Sequence, residues 1–131
     1  MKVIKIDSCK LGMLKPLWEM ARVGFFDEYE IYIHTDDPGN IPHFHIWDAE
    51  TRGNKYHTCI RIDKPKYFHH TGKEDILNSR DKRDLIEFLN SKPRNKRYDT
   101  NWEYLVSMWN DNNSKINVAE DIEMPDYTKL H

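Results

Sequence analysis

Three runs of residues decide the fold: Tyr29-Glu30-Ile31-Tyr32-Ile33-His34, Pro42-His43-Phe44-His45-Ile46-Trp47-Asp48 and Tyr56-His57-Thr58-Cys59-Ile60-Arg61-Ile62. Each alternates at a period of two, the spacing of a strand that turns one face to a core. The first run extends back to Phe25. In it, Tyr29, Ile31 and Ile33 share one face, while Glu30, Tyr32 and His34 share the other. In the second, Phe44 and Ile46 oppose His43, His45 and Trp47. In the third, Tyr56, Thr58, Ile60 and Ile62 oppose His57, Cys59 and Arg61. Asp36-Asp37-Pro38-Gly39-Asn40 joins the first two runs and Thr51-Arg52-Gly53-Asn54 the last two. Both stretches hold residues that preset φ, accept positive φ or bond their own backbone. Strands joined in order by short turns predict an antiparallel meander. With Phe44 and Ile46 turned to the core, the His43 and His45 face is expected to be at least partly exposed.

Outward from this centre, the pattern changes period. Lys2 to Asp7 alternates like a short strand. Leu11, Leu14, Trp18 and Ala21 repeat at helical spacing and predict an amphipathic helix ending near Gly24, with Pro16 either kinking it or opening it. Lys64 to Lys73 reads as a loop. Leu85, Ile86, Phe88 and Leu89 predict a helix over 81–90, capped by Ser79 or Asp81 and ended before Pro93. Trp102, Leu105, Val106 and Trp109 predict another, with Thr100 or Asn101 as its cap and Asp111-Asn112-Asn113 as its stop. The expectation is one α+β domain over residues 1–113, a three- or four-stranded antiparallel sheet (meander) with two to three helices packed on one face. Residues 114–131 read as an acidic C-terminal tail, draped over the surface or mobile.

Composition fits one such domain. The chain has 131 residues, 38% hydrophobic and 32% charged, with four Trp, seven Tyr and five Phe to fill a dense core. Cys9 and Cys59 are the only cysteines, and with no apolar leader before them a reducing cytoplasm is expected. No apolar run approaches the roughly 20 residues that span a bilayer, so no membrane partner is expected. A net charge of −2 gives no global attraction to nucleic acid. The charge is nonetheless uneven: acids dominate between Glu19 and Glu50, whereas Lys92, Arg94, Lys96 and Arg97 cluster in a Pro-interrupted loop. Such a cluster is a solvated connection or a surface that contacts phosphate.

His43 and His45 carry the candidate chemistry. Two imidazoles at i and i+2 on one strand suit a divalent transition metal such as zinc, which wants a third protein ligand from His34 or His57 on the neighbouring strands. A structural reading competes with it, in which the two rings point apart and bond backbone carbonyls. A metal-free reading has the histidines cleave RNA by acid–base transfer with Lys55 and Arg61, against which the acidic Asp36, Asp37 and Asp48 weigh. Cys59 shares a strand face with His57 and reads as a nucleophile or an inert core thiol. Asp36 and Trp47, flanking the histidine pair, complete the candidate binding residues together with Lys92, Arg94, Lys96 and Arg97.

Glu30-Ile31-Tyr32-Ile33-His34, Thr35-Asp36-Asp37 and Pro42-His43-Phe44-His45-Ile46 together resemble a small bacterial domain family of unknown function marked by a Pro-Pro-His-Phe-His-Val signature. The resemblance covers roughly Tyr29 to Trp109, and the Pro-His-Phe-His core is its specific part. The chain departs from the pattern with Ile41 in place of the first Pro, an added N-terminal segment and an acidic tail. The resemblance implies a prokaryotic accessory protein of the kind sometimes set beside toxin and antitoxin pairs. The leading expectation is therefore a small cytosolic interaction or regulatory accessory protein of prokaryotic or mobile-element (phage) origin, with a protein partner. The second is a metal-dependent hydrolase or nuclease using His43 and His45 with His34 or His57.

Overall fold

A computed structural model describes residues 20–35, 41–68 and 75–131. The strand expected at 2–7, most of the helix expected before Gly24, the turn at 36–40 with Asp36, and His69 and His70 lie outside the described residues. Four strands form one sheet in the order β1 (Met20–Phe26), β2 (Tyr29–His34), β3 (His43–Asp48) and β4 (His57–Arg61), each antiparallel to the next. Two helices, α1 (Ser79–Asn90) and α2 (Asn101–Asn112), and a single 3-10 turn at Tyr127–Lys129 complete the described elements. The fold is α+β with a four-stranded antiparallel meander.

The start of the sheet differs from the sequence reading. Met20–Gly24, expected at the end of a helix, belongs to β1, and the supposed single strand from Phe25 is a hairpin. Asp27 and Glu28 form its two-residue turn, closed by the Phe26–Tyr29 pair. Asp27 takes a φ of 50°, a left-handed conformation that Asp tolerates because its short side chain bonds locally. The register slips between Arg22 and Gly24, so Val23 is the extra residue of a bulge. Gly24 is required there by close approach: a Cβ would stand 2.7 Å from Cζ of Phe88. Pairing of Ala21 with Ile33 outweighs the helical spacing that had grouped Ala21 with Trp18.

Asp48 organises the β3–β4 connection. Its carboxylate accepts hydrogen bonds from the amides of Thr51 (2.8 Å), Gly53 (3.2 Å), Lys55 (3.2 Å) and Tyr56 (2.9 Å), and from the Thr51 hydroxyl. Arg52 and Gly53 take φ values of 52° and 92° to wrap the chain around it. This turn sets which residues of β3 and β4 stand opposite one another.

One face of the sheet holds the aliphatic core. Ile31, Ile33, Phe44, Ile46, Ile60 and Ile62 are buried with Leu85 and Leu89 of α1 and Leu105, Val106 and Trp109 of α2. The Asn78 side chain caps α1 by accepting from the Asp81 amide. Thr100 and Glu103 form a reciprocal capping box that starts α2.

The segment 114–131, expected as a tail outside the domain, contributes to that core. Tyr127 and Leu130 are buried in it, and the Tyr127 hydroxyl donates to the Arg61 carbonyl at 2.6 Å. The indole N–H groups of Trp109 and Trp102 donate to the carbonyls of Ile116 and Ile122, and His131 exchanges backbone bonds with Tyr67 and Pro65. The physical reason is that scattered apolar residues need no periodicity when tryptophan donors on a helix hold the backbone that carries them.

Candidate metal centre

The meander register places the polar residues of three strands in rows. Tyr32 of β2 stands opposite His45 of β3, which stands opposite Cys59 of β4; Glu30, Trp47 and His57 form the adjacent row. His34 and His43 lie on the same face at the β2 and β3 ends. This face was expected to be partly exposed, and it is not: His34, His43, His45, His57 and Cys59 are each 1% exposed or less. Within the layer the rings pack on one another. Tyr32 stacks on His45 with centroids 4.8 Å apart, His34 meets His45 edge-on at 4.8 Å, and Phe68 covers His43 at 4.3 Å.

Within this layer, donor atoms of His43, His45 and Cys59 all lie within 4.8 Å of one another. Sγ of Cys59 is 3.3 Å from Nδ1 of His45. In a tetrahedral zinc site with bonds of about 2.3 Å to sulfur and about 2.05 Å to nitrogen, the sulfur–nitrogen edge is about 3.6 Å, so this pair already stands near ligand separation. Closing the widest edge takes a movement of about 1 Å, within reach of side-chain rotation.

His43 is oriented for the part. Its Nδ1 lies 2.7 Å from the Ile41 carbonyl, and a carbonyl only accepts, so Nδ1 carries the proton and Nε2 of the neutral ring holds the lone pair. Metal-binding histidines are commonly held this way, by a backbone carbonyl on the nitrogen that does not ligate. The expectation that rings on carbonyls pointing apart would mark a structural pair is thus met by one ring alone. Nδ1 of His45 faces Cys59 and, at 3.2 Å, Nε2 of His57. That Nε2 is also 3.2 Å from the Tyr32 hydroxyl.

Cys59 is disulfide-bonded in this structure, whereas the sequence reading had it as a thiol. The other cysteine of the chain, Cys9, lies outside the described residues. A disulfide sulfur is not a thiolate and is no ligand of the kind zinc takes, so the ligand set belongs to the reduced form.

Of the four histidines expected at a metal, the structure therefore groups His43 and His45 with Cys59, and sets His34 and His57 beside His45 as neighbours. The sequence reading missed Cys59 as a ligand. Its signal was present in strand parity, which puts it on the His57 face, but its position opposite His45 depends on the turn built around Asp48. Trp47, expected among binding residues, is 3% exposed and donates its indole N–H to Glu30 at 2.8 Å, so it serves the buried layer instead. Glu30 also pairs with Arg22. Lys92, Arg94, Lys96 and Arg97 sit on the α1–α2 loop, away from the histidines, and all four are exposed. Among the described residues a second group, Asp27, Asp81 and Asp84, also gathers potential ligands, with Asp27 exposed and Asp81 and Asp84 half-buried.

The fold and this layer define a small α+β protein with a buried imidazole and sulfur cluster on the outer face of its meander. Comparison with protein-family models, with curated proteins and with solved structures finds no match. No helix among the described residues is long and apolar enough to cross a membrane.

Proposed function

We propose that the protein is a small accessory or regulatory protein whose central sheet carries a closed transition-metal centre, with His43, His45 and Cys59 as ligands and zinc as the metal that fits them. The observation that carries this reading is the convergence of two imidazoles and a sulfur, all fully buried, with one imidazole held by a carbonyl. Two nitrogens and a sulfur form a donor set that zinc accepts in tetrahedral geometry, leaving a fourth position for a neighbouring side chain or a water. Burial favours a structural or regulatory ion over a hydrolytic one, because catalysis needs a coordination position that substrate can reach. The alternative of a metal-dependent hydrolase or nuclease is for that reason the weaker one. The resemblance to the Pro-Pro-His-Phe-His-Val family supports the accessory role and the prokaryotic or phage setting, and a protein partner remains part of the proposal.

The reading requires reduced Cys59. A phosphine reductant supplies the two electrons that split the disulfide and leaves as the phosphine oxide, with water giving that oxide its oxygen and the two thiols their protons; the Cys59 thiol then releases its proton on ligation. Metal analysis of untagged protein, purified and dialysed under a phosphine reductant, tests it. One metal ion per chain is expected, falling to near zero in the His43→Ala/His45→Ala variant. Metal-free protein that takes up no zinc, manganese or nickel at micromolar concentration refutes it.

A further inference from the structure

At the outer edge of β1, a groove of about 410 Å³ opens between the Val23 bulge and the α1–α2 loop. It is within the size range of small-molecule sites. Three cations line it: Arg22 from the strand, and Lys92 and Arg94 from the loop. No carboxylate is among its lining residues, a contrast with the acidic run that surrounds Arg22 in the sequence. The ion pairs among the described residues leave Lys92 and Arg94 without an acidic partner. Arg22 gives part of its charge to Glu30, yet its side chain stays 59% exposed. Three aromatic rings, Phe25, Phe88 and Tyr104, complete the wall. Phe25 is 50% exposed, an unusual cost for a phenyl ring, and the Arg22 guanidinium lies 4.9 Å from its centroid; Tyr104 is half-buried, packed against Tyr98.

We infer that this groove binds a nucleotide unit, its phosphate held by Lys92 and Arg94 and its base stacked against Phe25 or Tyr104. Unpaired cations beside an exposed phenyl ring and a half-buried tyrosine match the two halves of such a ligand: charge-assisted bonds hold phosphate oxygens, and a π-face accepts any base. An acidic peptide would use the cations but has no need of the rings. The same chemistry comes from a free mononucleotide or from one residue of a single strand. This site is separate from the metal centre and does not depend on it.

The test is a binding titration of the full chain with four probes: inorganic phosphate, adenosine monophosphate, octathymidylate and octaglutamate. Adenosine monophosphate or octathymidylate is expected to bind saturably and at least about tenfold more tightly than phosphate or octaglutamate. Binding of the mononucleotide points to a free nucleotide, and binding of octathymidylate alone to a strand. The K92E/R94E pair, at exposed positions that leave folding intact, is expected to weaken nucleotide binding about tenfold or more. Phe25→Ala is expected to weaken it about fivefold while leaving phosphate unchanged. Equal or tighter binding of octaglutamate or phosphate, absence of binding by every probe, or K92E/R94E protein that binds as wild type overturns the inference.

Discussion

Replacing Asp48 by Asn tests whether one carboxylate fixes the turn that aligns His45 with Cys59. Four amides and one hydroxyl donate to it, three amides on Oδ1 and the Thr51 pair on Oδ2. Burial pushes this carboxyl up, but the Thr51 hydroxyl and the amides of Thr51, Tyr56 and Lys55 outweigh it and bring the pKa from 3.8 down to about 2. The residue is only 7% exposed, so solvent screens these bonds little. A carboxyl whose folded pKa is depressed adds stability above its unfolded pKa and loses it as pH falls through the folded one. The difference corresponds to at most about 2.5 kcal/mol at pH 7, vanishing between about pH 5 and pH 2. Asn keeps one oxygen but turns an NH2 group toward donors, whichever way it is flipped, adding about 1–2 kcal/mol of unsatisfied hydrogen bonding. Urea unfolding at pH 7, 5, 4 and 3 is the assay. Asp48→Asn should lose about 3 kcal/mol at pH 7, with the gap to wild type narrowing toward pH 3. A loss under about 0.5 kcal/mol at pH 7, or a gap that does not change with pH, refutes the reasoning.

Two further outcomes follow from the packing. Tyr127→Phe should lose about 1 kcal/mol with its bond to the Arg61 carbonyl, and Tyr127→Ala about 3–5 kcal/mol with its buried ring, both read from urea midpoints; equal midpoints for the three proteins would contradict the placement of this segment in the core. In alkali, burial and then the Asp81 carboxylate push Tyr29 up to about 12, and burial raises Tyr56 and Tyr67 as well. Raised folded values protect the fold fully below about pH 10 and cease to do so as pH climbs beyond it, so phenolate absorbance should rise in step with loss of circular dichroism. Titration of all seven tyrosines near pH 10 in protein that keeps its native spectrum would contradict this.

The sheet was legible where its chemistry is local. Period-two alternation assigned the faces of β2, β3 and β4 correctly, because strand parity is a property of neighbouring residues. It failed at β1, where Ala21 and Trp18 happen to stand at helical spacing and only pairing with Ile33 and Tyr32 reveals the strand. The hairpin at Asp27-Glu28 escaped because neither residue is Gly, Asn or Pro. For the site, the histidine pair was visible and its third partner was not. Cys59 meets His45 through a register fixed by Asp48, a contact that spans fourteen residues and leaves no local trace. Burial of the histidine face was also hidden, since residue type alone labels imidazole, phenol and indole as surface groups, whereas together they stack like a core. Tyr127 reached the core from a stretch too polar to show any period.

The ligand set itself is tested most directly by cobalt substitution in reduced, untagged protein. Cobalt(II) takes the tetrahedral positions of zinc and reports them in its visible spectrum, with a separate charge-transfer band in the near ultraviolet when a thiolate is bound. The account predicts one equivalent of tetrahedral cobalt displaced by zinc, a charge-transfer band absent from Cys59→Ser, and no uptake by the oxidised protein. A spectrum of octahedral, aqueous-like cobalt, or a charge-transfer band that survives in Cys59→Ser, would contradict it.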